Sequence, residues 1–485
     1  MKVLNCSQIK AAEENAVFNG IFSYTALMEN AGKIAAKAIL DKYNVSAKRI
    51  CVVCGKGNNG GDGVVIAALL AKSGAFVSLY FPFGEPLTDT AQYFIPWVKD
   101  IKRVNCVDKN ADIIIDAIFG IGLDRTLDNN IRQIIGDMND NDAIKIAIDI
   151  PSGIFCDGGR DETAFIADFT VTFIAYKPCF FLPETVDFCG DVKVLDIGAP
   201  ICDYAYSIIE KPSHINRPKN SHKGTYGTAL LLCGSYGMCG AQILAAKAAL
   251  RSGVGLVKSI VCDKNYTAFC QSVPEAVTYP VSTLPDGAPE VFDRTILSAT
   301  SSSNAMLLGC GLGKSDEAKR IVKNALLISQ IPIILDADGI NAIASDINIL
   351  RKTKAPVILT PHPKEMSRIT GLSVAEIERN RMKVAKRFAI DYGCVLVLKG
   401  TNTVVSAPDG RVFINNGGNP GMATGGSGDV LAGIMVALLA GGSTPLDAAL
   451  EAVWYHSLAA DNAVTKISQR ALLPSDIIEE LKYIP

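Results

Sequence analysis

Two stretches place clustered glycines in front of an apolar run and set a carboxylate at its mouth: "GKGNNGGDG" at 55–63 and "GNPGMATGGSGDVLAG" at 418–433. Glycines let backbone N–H groups approach an anion closely, and a helix that starts there adds its positive dipole end. In the second stretch Gly425, Gly426, Ser427 and Gly428 make an anion hole suited to a transferring phosphoryl group, while Asp429 can accept a hydroxyl proton. In the first, Asn58, Asn59, Gly60, Gly61 and Asp62 make a pyrophosphate cradle. It matches neither G-x-G-x-x-G nor the Lys-Ser/Thr of a Walker loop, so a generic nucleotide reading is weak. A tight strand-to-helix turn is the plain alternative, although two asparagines and an aspartate exceed what a turn requires.

Other polar residues stand where apolar strands stop. "IIIDAIFGIGLDR" carries Asp116, and "IAIDIPSG" carries Asp149 and Ser152. Asp116, the Asn59 amide and the Ser152 hydroxyl are hard oxygen donors suited to an alkali or alkaline-earth cation, which leaves Asp149 free for proton transfer. An aspartate at a strand end can equally cap the following helix. Lys399 to Thr403, in "LKGTNT", lie at a strand end where nucleotide phosphate and adenosine would be gripped: Lys399, Gly400, Thr401, Asn402 and Thr403. His362, between two prolines in "TPHPKEM", is read as a donor to substrate rather than as a structural histidine.

The elements that must position these residues follow from the period of the apolar pattern. "RICVVCG", "FVSLYFP", "ADIIIDAIFG" and "IKIAIDIPSG" are short Ile/Val-rich runs separated by helical stretches such as "GGDGVVIAALLAKSG". A polar, proline-containing passage at 210–226 interrupts this alternation, which then restarts with "GTALLLCGS", "LVKSIVC", "AMLLGCGLGKS", "IPIILDADG", "APVILTPHP" and "GCVLVLKG". The class is therefore α/β with two domains, each a mainly parallel sheet flanked by helices that binds ligands at the carboxyl ends of its strands. Two helices open the chain, one after Ser7 and one capped by Ser23.

At 485 residues the chain exceeds one hydrophobic core. A net charge of -2 supplies no field for nucleic acid or anionic lipid, and no apolar run reaches a membrane span, so a cytoplasmic protein with small-molecule ligands is expected. The 14 cysteines are scattered in apolar runs and read as buried small hydrophobes. Cys51 and Cys54 lie three apart on a strand, facing opposite ways, and make a poor redox or zinc pair.

The motifs "GKGNNGGDG", "DAIFGIGL" and "DIPSG", in that order, resemble the NAD(P)H-hydrate epimerase (YjeF N-terminal) family. That resemblance implies a Rossmann-like domain over 1–212, ligand contacts from Asn58 to Asp62 and from Gly120, Ile121, Gly122, Leu123, Asp124, Arg125 and Thr126, potassium (K+) at Asn59, Asp116 and Ser152, and acid-base work by Asp149. Ile121 stands where that family is expected to carry threonine. The later motifs "HKGTYG", "RSGVGLV", "GCGLGKS", "DADGIN", "TPHPKEM", "LKGTNTVV" and "NPGMATGGSGDVLAG" resemble the NAD(P)H-hydrate dehydratase branch of the ribokinase-like superfamily. They imply a domain over 213–485 that uses Mg2+ and ADP or ATP, with Gly253, Gly313, His362, Lys399 to Thr403 and Gly425 to Gly428 in binding roles. Cys310 and Lys364 replace the proline and glycine common there.

The resemblance implies repair of hydrated nicotinamide cofactors, NADHX and NADPHX: epimerisation of the R and S hydrates, then nucleotide-dependent dehydration of the S epimer through a phosphorylated intermediate. A homo-oligomer is expected. The competing readings are a small-molecule vitamin or sugar kinase fused to a nucleotide-binding regulatory domain, and a first domain that only binds nucleotide or a protein partner. An NAD dehydrogenase is weaker, since neither glycine loop has the dinucleotide fingerprint.

Overall fold

The structure, a computed structural model, describes residues 1–212 and 217–484. The chain forms two compact units, Met1–Ser207 and Ile208–Pro485. The boundary expected between 212 and 213 abuts residues 213–216, outside the described residues.

The first unit is built on a parallel sheet of β1 (Arg49–Cys54), β2 (Phe76–Tyr80), β3 (Lys102–Val104), β4 (Ile113–Ala117), β5 (Ile144–Ile148), β6 (Phe169–Phe173) and β7 (Asp191–Leu195), in the order β3-β2-β1-β4-β5-β6-β7. The strands Arg49–Cys54, Ile113–Ala117 and Phe169–Phe173 are short and almost wholly buried because apolar clusters cover each side. Ile50, Val52 and Cys54 join one cluster with Ile113 and Ile115, while Cys51 and Val53 join another with Ile114. The expected opposition of Cys51 and Cys54 is thus found, and both are free thiols.

Helix α1 (Cys6–Phe18) begins one residue before Ser7, with Asn5 as its cap in a reciprocal pair with Gln8; Ser7 only donates to the Asn5 amide oxygen. Helix α2 (Tyr24–Lys42) is capped by Ser23, whose hydroxyl accepts from the Ala26 N–H. Helix α3 (Asn58–Lys72) starts inside the first glycine loop without a side-chain cap, so its N-terminal dipole end stays available to an anion.

The second unit contains β8 (Thr228–Leu232), β9 (Leu256–Cys262), β10 (Val277–Val281), β11 (Ala305–Leu308), β12 (Ile333–Leu335), β13 (Val357–Leu359), β14 (Val395–Leu398), β15 (Val404–Ser406) and β16 (Val412–Ile414). Their order is β16-β15-β14-β13-β12-β11-β8-β9-β10, parallel apart from the β14-β15 and β15-β16 pairs. Helices α4 (Cys239–Arg251), α5 (Pro363–Thr370), α6 (Ser427–Ala440) and α7 (Pro445–Ala463) belong to this unit. Helix α6 is apolar almost all round and nearly every residue of it is buried, as a helix central to a core must be. No helix among the described residues is long and apolar enough to cross a membrane.

Candidate active sites

In the first unit the carboxyl ends of the strands open into a cavity of about 650 Å³. Gly57, Asn58, Asn59 and Asp62 line it from the start of α3, Ile118 to Leu123 and Arg125 from the loop after β4, and Glu13 from α1. Asp149, which directly follows β5, points into it from a backbone at φ 68°, a conformation L residues rarely hold. Its carboxylate is fixed at both oxygens. Oδ2 accepts from the Ile121 N–H at 2.9 Å, and Oδ1 accepts from Lys177 Nζ at 2.8 Å. Lys177 is fully buried and also donates to the Thr172 hydroxyl and, at 2.9 Å, to the Phe173 carbonyl.

Asp116 is fully buried. Burial raises its carboxyl to about 6, opposed by the Ser152 N–H and hydroxyl, each at 2.7 Å. Asn59 donates to the Ile148 carbonyl at 3.2 Å, and its own amide oxygen is buried with no hydrogen-bond partner. An orphaned oxygen of this kind needs a cation or donor. Asp116 pairs across the sheet with Ala147, next to the Ile148 carbonyl that Asn59 reaches, and oxygen donors of this kind could hold a hard cation.

Not every expected contact faces the cavity. Gly60 and Gly61 pack away from it, against the Gly55 backbone and the Met28 and Ala91 side chains. Asp124 and Thr126 are exposed beside it, whereas Leu123 and Arg125 line it. Two lining groups escaped the sequence reading. Lys177 sits in "FIAYKPCF" with its partner 28 residues upstream. Glu13 is pushed to about 7 by burial and then by the Asp149 charge.

In the second unit the polar residues again gather at the carboxyl ends of parallel strands. Asp429 lies in the first turn of α6, three residues after Gly426, whose φ is 99° and where a Cβ would run into Leu244 and Pro474. Asp336 follows β12 and Lys399 follows β14, with Nζ 2.6 Å from Asp336 Oδ1. Cys310 Sγ lies 3.6 Å from the other oxygen, Oδ2. Burial, and then the Asp336 charge, raise Asp429 to about 6. Two carboxylates side by side fit Mg2+, which is held through one or two carboxylates plus substrate phosphates.

Lys399 Nζ comes within 3.4 Å of the position a Gly428 Cβ would take, so the lysine, both aspartates and the glycine amides converge. Gly313 lies at the edge of this gathering: its N–H donates to Asp338 Oδ2 at 2.9 Å, and the Asp338 charge acts on Asp429. Gly400 lies against the guanidinium of Arg381, which is fully buried and donates to the Leu398 and Lys399 carbonyls. Thr401, Asn402 and Thr403 form the turn between β14 and β15, where the Thr403 hydroxyl donates to the Gly400 carbonyl.

His362 takes the N-cap of α5: its Nδ1 accepts from the Lys364 and Glu365 N–H groups. Burial, and then the Lys399 charge, hold its pKa below the ordinary value, so Nε2 carries the proton and remains a donor. Beneath the glycine loop lies a residue the sequence reading missed. Buried His456 of α7 contacts the Ser427 hydroxyl at 3.3 Å and is kept neutral, at about 4, by burial.

Gly253 is not part of this gathering. It follows the carboxyl end of α4 and lines a separate cavity of about 470 Å³ together with Leu438 and Gly441. Those two lie at the far end of α6 from Asp429, roughly 15 Å away along the helix.

The family model described as NAD(P)H-hydrate dehydratase matches residues 229–483, and the one for the YjeF-related protein N-terminus matches 24–179. The chain is 34% identical to the bifunctional NAD(P)H-hydrate repair enzyme of Moorella thermoacetica, across 94% of this chain and 92% of that one. The chain belongs to the bifunctional NAD(P)H-hydrate repair enzyme family. The repair enzyme of Thermofilum pendens is likewise 34% identical, with 100% of this chain and 96% of that one covered. Among solved structures, the ADP/ATP-dependent NAD(P)H-hydrate dehydratase from Bacillus subtilis, co-crystallized with ATP/Mg2+, is 33% identical, with 56% of this chain and 92% of that chain covered and a TM-score of 0.48. Membership in the repair-enzyme family, over the full length, disfavours the reading as a vitamin or sugar kinase with a regulatory domain.

Proposed function

We propose that this chain repairs hydrated nicotinamide cofactors at two sites, with residues 1–212 epimerising NAD(P)H hydrate and residues 213–485 dehydrating its S epimer at the expense of ADP or ATP. The observation that carries the reading is the convergence of Asp429, Lys399, Asp336 and the Gly428 backbone at the strand ends.

The hydroxyl of the hydrate is borne by the carbon next to the ring nitrogen, and hydroxide is a poor leaving group. Asp429 accepts the hydroxyl proton as the oxygen takes the phosphoryl group, and the amides of Gly425 to Gly428 hold the charge that develops on it. The ring nitrogen then expels phosphate, and loss of a proton from the neighbouring carbon restores the dihydropyridine. Lys399 grips nucleotide phosphate and His362 Nε2 donates to substrate. Mg2+, when bound, would neutralise phosphate charge, and Asp336 is the carboxylate that would hold it, which leaves Asp429 as the base.

In the first unit Asp149 takes the same hydroxyl proton and passes it to the ring nitrogen as the carbon–nitrogen bond opens to an aldehyde. Closure on the opposite face gives the other epimer. Asn58 and the start of α3 hold pyrophosphate, and K+ held by Asn59, Asp116 and Ser152 would order the surrounding loops. Action in the cytoplasm as a homo-oligomer accompanies this reading.

The test is recovery of NADH from a mixed-epimer hydrate with ADP, with ATP and with neither. Complete recovery with one nucleotide supports both activities, recovery of only the S fraction removes the epimerase, and no recovery removes the dehydratase.

Three further results are expected. A Cβ at Gly120 would lie 2.6 Å from Asp149 Oδ2, and that carboxylate cannot swing away because Lys177 holds its other oxygen. Gly120→Ala should therefore slow epimerisation by about a hundredfold, the cost of misplacing a reacting group by an ångström. Ile121→Thr should change it less than about twofold, because position 121 reaches Asp149 through its backbone N–H. Steady-state epimerisation of the two variants checks this. Since Asp429 holds its proton up to about 6, the dehydration rate should climb as pH rises through that value, falling about tenfold per pH unit below it. A pH–rate profile of NADH recovery reads it directly.

A further inference from the structure

We propose that Cys310, Asp336 and Asp429 form a binding site for a thiophilic divalent cation, zinc or its probe cadmium, and that occupation of this site shuts down the dehydratase centre; the second half of this statement rests on the function proposed above. The ligand atoms of the three side chains all lie within 4.8 Å of one another. More specifically, Cys310 Sγ is 3.6 Å from Asp336 Oδ2. A zinc ion about 2.3 Å from sulfur and about 2.1 Å from oxygen, at a tetrahedral angle, spans an edge of roughly 3.6 Å.

Asp336 is already prepared for such a role. Lys399 holds its Oδ1 at 2.6 Å, which leaves Oδ2 turned toward the thiol and fixes the carboxylate from behind, as outer partners of metal ligands do. Asp429 is the more open of the three and supplies the third ligand atom, the second oxygen. Three protein ligands with the fourth position left for water or phosphate is the arrangement zinc takes at open sites. Magnesium takes oxygen ligands in an octahedron, so the sulfur discriminates between the two cations. On binding, the Cys310 thiol releases its proton to solvent and the thiolate and two carboxylates bind the ion. Asp429, its charge drawn onto the ion, is then too weak a base to take the hydroxyl proton.

The experiment is a cadmium titration of the purified chain, followed by thiolate-to-cadmium absorbance, for the parent, Cys310→Ala and Asp336→Asn. The remaining cysteines, including exposed Cys106 and Cys202, are common to all three proteins and drop out of the difference. The parent should take up one tight equivalent, displaceable by zinc, that is absent in Cys310→Ala and at least about tenfold weaker in Asp336→Asn. Half-inhibition of NADH recovery, each protein normalised to its own rate, should need at least about tenfold more zinc for Cys310→Ala than for the parent. Equal uptake in the three proteins would overturn the site. A lost equivalent without zinc inhibition would overturn the shutdown. If the parent recovers no NADH at all, the dehydratase reading fails while the metal uptake is still decided by absorbance.

Discussion

Asp429→Asn is expected to abolish nucleotide-dependent recovery of NADH, lowering its rate by about 10²–10⁴-fold, while the variant folds at least as well as the parent. The rate loss is what removal of a positioned general base costs. An amide has the shape of the carboxylate but cannot take the hydroxyl proton, so nucleotide and hydrate still bind in the glycine loop. The prediction for the fold follows from the same burial that raises Asp429 to about 6. A carboxyl group whose ionisation is disfavoured by its surroundings loses nothing when replaced by a neutral isostere. Thermal unfolding beside the recovery assay separates the two effects. A variant that restores nicotinamide absorbance at the parental rate would remove Asp429 from the chemistry, and a large drop in melting temperature would mean that its role is structural.

Asp149→Ala should do two things at once. Epimerisation of pure R hydrate should fall to the spontaneous background, because Asp149 is the carboxylate held at both oxygens where it lines the cavity. The unit should also lose about 3–5 kcal/mol of stability, since Lys177 is left as an uncompensated buried cation. The double variant Asp149→Ala with Lys177→Met is expected to recover most of that stability and none of the epimerisation. Denaturant unfolding of the single and double variants, together with R-hydrate conversion, reads both consequences. Conversion above background in the single variant would reassign the proton transfer, with Glu13, held near 7, as the next candidate.

How far the fold and sites could be read in advance depended on how local each signal is. Strands such as Arg49–Cys54 and Ile113–Ala117 announced themselves because both faces are covered and the runs are almost wholly apolar. Phe169–Phe173, "FTVTF", was not picked out: its threonines look like a solvated face, yet Thr170 and Thr172 are buried, the one donating to the Cys189 carbonyl and the other bonded to Asp149 and Lys177. Asp149 and Asp429 were visible from their places at the ends of apolar runs. Lys177, His456 and Arg381 were not, because their partners lie 28, 29 and 17 residues away along the chain. The structure does not bring the glycine at 253, in "RSGVGLV", to the residues around Asp429. Gly253 precedes its strand, and ligands gather where parallel strands end, so that loop is at the wrong end of the sheet.

The backbone at Asp149 stands at φ 68°, a conformation that costs an aspartate about 1–3 kcal/mol and a glycine almost nothing. Drift toward glycine at 149 would relieve that strain but strand Lys177, at the larger cost of about 3–5 kcal/mol. The order of events in a lineage that abandoned epimerisation is therefore constrained. Lys177 must be replaced first, and only then does position 149 become free to relax.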